Sequence, residues 1–209
     1  MTRIWLIRHG ATEWNINKRA QGQADIALTD SGRAQAKEVA VAMSTFSLDA
    51  IYSSDLVRAV DTAKPIAQEQ GLEVETDPAF REIDQGEWTG LPTNEIRRRW
   101  PDLWGTARHY SARPGGETPG QVRARALAGL ERVVRRHPKG TVAVVSHGGT
   151  IRWLVAESMG YDDRASAGLR GVSNAGAVLL EGWVEDGDLR LRFVERLDGA
   201  GPDLDDPND

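Results

Sequence analysis

Apolar residues along the chain follow two rhythms. Short runs read as strands: Ile4 to Ile7, with a β-branched residue at each end, stops abruptly at Arg8-His9-Gly10. Asp49 to Ser53 and Leu72 to Glu75 are of the same kind, and Thr141 to Ser146 is apolar on both faces, which predicts a central strand. Between them apolar positions recur at helical spacing. Thr29-Asp30-Ser31-Gly32 supplies start chemistry for a helix through Met43 with Ala36, Val39, Ala40 and Met43 facing inward. Asp55 to Gln70 predicts a second helix, bent where Pro65 lacks a backbone donor. Pro119 to His137 carries Val122, Ala126, Leu130, Val133 and Val134 on one face, with Arg135 and Arg136 suited to the negative end of the helix dipole. A helix from Gly148-Gly149 to Met159 follows, and Ala177 to Trp183 and Leu189 to Leu197 flank a turn at Glu185-Asp186-Gly187-Asp188, the pattern of a closing hairpin.

Residues 84–118 break the rhythm. They hold Trp88, Trp100 and Trp104 with Pro92, Pro101 and Pro114, and read as an irregular lobe with one short helix near Asn94 to Trp100. The alternation elsewhere predicts an α/β fold, a three-layer α/β/α sandwich with a mostly parallel central sheet. One catalytic domain is expected over residues 1–198, with 84–118 as a small lid lobe over the active site. Gly199 to Asp209, rich in Gly, Pro and Asp, is expected to be a disordered acidic tail. In such sheets ligands bind beyond the carboxyl ends of the strands. Arg8-His9-Gly10 and His147-Gly148-Gly149 both follow strands directly, so neighbouring strands would bring both histidines into one crevice.

Composition narrows the function. The 209 residues fit one domain, and 40% hydrophobic residues fit a packed core. A net charge of -5 gives no reason to expect nucleic acid or an anionic membrane as partner, so an anionic substrate must be drawn by local arginines. With no cysteine, thiolate nucleophiles and disulfides are excluded, which fits a cytoplasmic protein. The N-terminal apolar run is too short for a signal peptide, and no segment is long enough to span a bilayer.

The strand-end residues match the needs of phosphoryl transfer. Arginine offers a planar fork of donors for phosphate oxygens, and a neutral imidazole nitrogen is an in-line nucleophile. Glycine after each histidine allows close backbone approach, and amides at a helix start add anion contacts.

Leu6-Ile7-Arg8-His9-Gly10-Ala11-Thr12-Glu13-Trp14-Asn15 closely resembles the signature of the histidine phosphatase superfamily, the phosphoglycerate mutase-like family. The resemblance continues in order through Leu28 to Ala36, Tyr52 to Ala59, Arg81 to Gly90, Pro114-Gly115-Gly116-Glu117-Thr118 and Val145-Ser146-His147-Gly148-Gly149. It implies that His9 is the nucleophile, that Arg8 and Arg58 clamp the phosphoryl oxygens, and that His147 completes the pocket. Asn15, Gln21, Gly22 and Gly148 are implied as further substrate contacts. Glu82, ranked ahead of Asp84, is implied as proton donor to the leaving alcohol and then as base for water, with no metal or cofactor. A small phosphorylated metabolite is the expected partner, and the chain is expected to be a monomer or homodimer. Mutases of the family carry a longer insertion after the acid motif. Here only roughly thirty residues separate Glu82 from Pro114, which favours a phosphatase over a cofactor-dependent phosphoglycerate mutase or a catalytically silent binding protein. For His109 and His137 a structural or solvated role is expected. The tryptophans and the Arg97-Arg98-Arg99 run are read first as packing and as a solvated helix face, with substrate contact as the alternative.

Overall fold

The computed structural model describes residues 1–197, so the expected tail at 199–209 lies outside the described residues. The described residues include six strands, β1 Thr2–Arg8, β2 Ala50–Ser53, β3 Val74–Thr76, β4 Thr141–Ser146, β5 Ala177–Glu185 and β6 Asp188–Leu197. They form one sheet in the order β3-β2-β4-β1-β5-β6. The four strands from β3 to β1 run parallel, and β5 and β6 close the sheet antiparallel. β1 and β4 are adjacent, and their register runs from Arg3 opposite Thr141 to Arg8 opposite Ser146. Both strands therefore end level, and His9 and His147 leave the same edge.

Among the described residues seven α-helices accompany the sheet: α1 Glu13–Ile16, α2 Asp30–Met43, α3 Val57–Gln70, α4 Thr93–Arg99, α5 Pro119–Arg136, α6 Gly148–Ser158 and α7 Asp163–Ser166. Strand alternation sorts the core into two layers. Ile4, Leu6, Val142, Val144, Val178 and Leu180 face α5 and α6, against Leu130, Val133, Val134, Ile151 and Leu154. Trp5, Ile7, Ala143, Val145 and Leu179 face α2 and α3, against Met43, Ala59, Ala63 and Ile66. Each fully buried Leu, Ile or Val stabilises this arrangement by about 1.5–3 kcal/mol relative to exposure. The result is an α/β/α sandwich with a mostly parallel sheet.

Local differences from the sequence reading have local causes. α3 starts at Val57 rather than Asp55, because Asp55 is held outside the helix by a bidentate pair with Arg81 (2.7 and 2.5 Å). Pro65 sits inside α3. Two four-residue helices were not expected. α1 is set by a capping box between Thr12 and Asn15, and α7 by the Asp162 cap. Segment 84–118 contains 3₁₀ turns at Gly86–Trp88, Pro101–Leu103 and Gly105–His109 besides the expected short helix. The hairpin turn places Asp186 (φ 53) and Gly187 (φ 93) both in the left-handed region, as a two-residue primed turn requires.

Candidate active site

Sheet hydrogen bonding continues up to the first histidine. Arg8 N donates to Gly176 O (2.9 Å) and His9 N to Ser146 O (3.0 Å). The His9 and His147 ring centroids are 5.2 Å apart. The chain then turns at Gly10, where a Cβ would lie 2.4 Å from Gly32 O, so no side chain fits against the start of α2.

His9 is buried, with Nδ1 2.7 Å from Gly10 O. A carbonyl only accepts, so Nδ1 carries the hydrogen. Burial, then the positive charges of Arg58 and Arg8, hold the imidazole pKa well below its ordinary value. The ring is therefore neutral at neutral pH and keeps a lone pair on Nε2. His147 has a different partner. Its Nε2 lies 2.8 Å from Ser54 Oγ, which already accepts from Leu56 N (3.3 Å). His147 Nε2 and the Ser54 hydroxyl share this hydrogen bond, and Nδ1 has no hydrogen-bond partner among the described residues. Burial and Arg58 hold this ring neutral too.

Two arginines approach the histidines from different elements. Arg8 donates through Nη1 to Val172 O (2.7 Å). Arg58, on the first turn of α3, is fully buried rather than on a solvated face, and donates to Ala24 O and Gly22 O (each 2.7 Å). Gln21 and Gly22 are thereby tied to the crevice, and Asn15 is buried in α1 with its Oδ1 accepting from Thr12 N (3.1 Å). Gly148 opens α6, and His147 is the N-cap of the same helix.

Glu82 reaches this helix start from another loop. Its carboxyl accepts from Ile83 N (2.8 Å) and from Gly149 N (3.1 Å). Burial outweighs those amides and the two arginines, and raises its pKa above the ordinary glutamate value. Asp84, the second-ranked acid, accepts from Gly86 N (2.9 Å) and organises the following turn.

Residues outside the expected set complete the surroundings. Asn174 Nδ2 donates to His9 O (3.0 Å), Thr62 Oγ1 accepts from Gly10 N (3.0 Å), and Ser54 orients His147. Only Ser54 stood inside a recognisable motif; Thr62 and Asn174 carry no local signal. Trp88, Trp100 and Trp104 form a separate cluster with Ala20 and Ile96. Arg97 lies over the Trp104 ring (5.3 Å). His109 is buried, and His137 caps α5 and meets the Tyr52 hydroxyl through Nε2 (2.9 Å).

The family model of the histidine phosphatase superfamily (branch 1) matches residues 4–193. The chain belongs to the histidine phosphatase superfamily. It is an enzyme of the phosphoric monoester hydrolase class. A relative named phosphoserine phosphatase 1, from Hydrogenobacter thermophilus, is 38% identical over 165 residues, covering 78% of this chain and 78% of its own length. A probable phosphoglycerate mutase of Cronobacter sakazakii is 35% identical over 173 residues, covering 81% of this chain and 80% of its own. Among solved structures, a mycobacterial glucosyl-3-phosphoglycerate phosphatase in complex with VO3 superposes with TM-score 0.86 at 32% identity, covering 94% of this chain and 99% of that one. No helix among the described residues is long and apolar enough to cross a membrane.

Proposed function

We propose that this histidine phosphatase superfamily member hydrolyses small-metabolite phosphate monoesters through a phosphohistidine on His9, with Glu82 as proton donor. The observation that carries this reading is the His9 ring itself. It is neutral, its Nδ1 hydrogen is committed to Gly10 O, and its Nε2 lone pair stands beside two buried arginines.

A phosphate monoester carries about -1.5 to -2 charge at neutral pH. Arg8 and Arg58 offset that charge, and the neutral His147 ring completes the pocket beside His9. His9 Nε2 attacks phosphorus, the bond from phosphorus to the leaving oxygen breaks, and the Glu82 proton passes to that oxygen. The Glu82 carboxylate then takes a proton from water as the water oxygen attacks phosphorus. The P–Nε2 bond breaks, phosphate leaves, and both side chains regain their starting protonation. A raised Glu82 pKa keeps the proton in place until it is needed. Asn15, Gln21, Gly22 and Gly148 are assigned as substrate contacts, and residues 84–118 as a lobe over the crevice. The lack of cysteine fits a cytoplasmic site of action.

Replacing His9 with Ala tests the reading. Turnover of p-nitrophenyl phosphate should fall by about 10³-fold or more while the chain stays folded. Quenching the wild-type reaction with alkaline denaturant should trap a base-stable, acid-labile phosphoenzyme that the variant lacks. Residual turnover near wild type would remove His9 from the mechanism. Phosphoglycerate interconversion stimulated by bisphosphoglycerate would favour the mutase reading instead.

A further inference from the structure

Glu82 lies in a loop that follows a 3₁₀ turn at Pro78–Phe80, and the main chain there has no ladder to hold it. Its carbonyls converge on one guanidinium. Arg125 of α5 donates through Nη1 to Ala79 O (2.9 Å) and Arg81 O (2.7 Å), and through Nη2 to Glu82 O (2.9 Å). The same guanidinium is gripped by Glu117, from Nε to Oε1 (3.0 Å) and from Nη2 to Oε2 (2.9 Å). Glu117 Oε2 also accepts from Asp84 N (2.9 Å). Gln23 Nε2 donates to Glu82 O at 3.3 Å. The Glu82 carboxyl itself has two backbone donors, and Thr150 Oγ1, which donates to Arg81 O (2.8 Å), lies 3.5 Å from it. The orientation of the acid is therefore set mainly by its backbone, and the backbone by Arg125 and Glu117.

Electrostatics explains why the two come as a pair. A lone buried guanidinium touching Glu82 O would draw the proton off the carboxyl. Paired bidentately with Glu117, it supplies forked donors with little net charge. The arginine and glutamate side chains are 21% and 22% exposed, sheltered enough for that pair to persist.

We propose that Arg125 and Glu117 are positioning residues for Glu82, clamping main chain 79–84 so that the acid meets the leaving oxygen. This rests on the acid role proposed for Glu82. Misplacing a general acid by a fraction of an ångström hurts esters whose alcohol needs a proton to leave, and spares esters whose leaving group departs as a stable anion.

The test compares phosphoserine, an alkyl ester, with p-nitrophenyl phosphate in Arg125→Lys, Glu117→Gln and Glu82→Gln. The readout is kcat/KM, which covers steps up to transfer onto His9 and excludes the later attack of water. Arg125→Lys and Glu117→Gln should lose about tenfold to hundredfold on phosphoserine and less than threefold on p-nitrophenyl phosphate. Glu82→Gln should show the same selectivity, larger. Retained turnover of the aryl ester certifies the fold, and selective loss in either positioning variant supports the proposal. Parallel loss on both esters in both variants, or no loss in either, overturns it while selective loss in Glu82→Gln leaves the acid role standing. An unselective Glu82→Gln overturns the acid role and the positioning proposal together.

Discussion

At the carboxyl ends of β1 and β4, Arg8 and Arg58 use the edges of their guanidinium groups, donating to the carbonyls of Val172, Ala24 and Gly22. In segment 84–118 the arginines also present their faces, Arg113 while its Nε donates to Gln85 Oε1 (3.0 Å). Arg97 and Arg108 lie over Trp104 at 5.3 and 4.9 Å, and Arg113 lies over Trp88 at 4.9 Å. The charges of Arg58 and Arg8 add to burial in holding the histidine pKa values down. A stacked guanidinium contributes packing and a modest cation–π term, about 0.5–2 kcal/mol. One residue type thus makes an electrostatic site in one region and a small core in the other, and substitutions should separate rate from stability.

The largest effect is expected at Arg58. Arg58→Met removes two buried donors and the charge that acts most strongly on both histidines, and should lower kcat/KM for p-nitrophenyl phosphate by about 10³-fold, equivalent to about 4 kcal/mol. The His9 pKa should rise in the variant, read by NMR titration, because Arg58 is the largest charge holding it down. A loss under tenfold would erase the distinction drawn for the crevice arginines.

Next comes the segment's own core. Trp88 is fully buried against Trp100 (ring centroids 6.1 Å) and Trp104 (5.8 Å) and under Arg113. Trp88→Leu should reduce stability by about 2–4 kcal/mol in urea unfolding, while kcat/KM for the aryl ester stays within tenfold below the midpoint. Rate loss in proportion to stability loss would mean that the two regions act as one unit.

The crevice was legible in sequence, and the packing around it largely was not. β1 and β4 announce themselves because both their faces are apolar. α2 and α5 do so because their inner stripes, Ala36, Val39, Ala40 and Met43 in one and Val122, Ala126, Leu130 and Val133 in the other, keep helical spacing and are buried. His9, Arg58, Glu82 and His147 stood in recognisable motifs. Thr62 and Asn174 did not, since each acts on Gly10 or His9 from a distant element through one hydrogen bond. Arg125 looked like the polar face of an amphipathic helix, and its carbonyl partners are set by tertiary contact alone. The stacked arginines and indoles of segment 84–118 have no period for a sequence pattern to reveal.

The smallest effect is one buried ring's share of the response to protons. The crevice buries His9 and His147 as neutral rings, and segment 84–118 buries His109, whose pKa is pushed down to about 3 by burial and then by Arg152 and Arg108. An unfolded histidine titrates near 6.5, so below about pH 6.5 the unfolded chain binds protons that these folded rings refuse. Stability should fall as pH falls, by up to about 1.4 kcal/mol per pH unit for each ring. Glu82 works in the opposite sense. Its raised pKa contributes stability that is complete below the unfolded glutamate value and is lost as pH rises. Urea unfolding from pH 7 to pH 5 should therefore show stability dropping with the net of three histidines against one glutamate. In His109→Asn the drop should shrink by about one ring's share, 1.4 kcal/mol per pH unit at most. An unchanged slope would mean that His109 already titrates like an exposed ring and that the crevice alone carries the acid sensitivity.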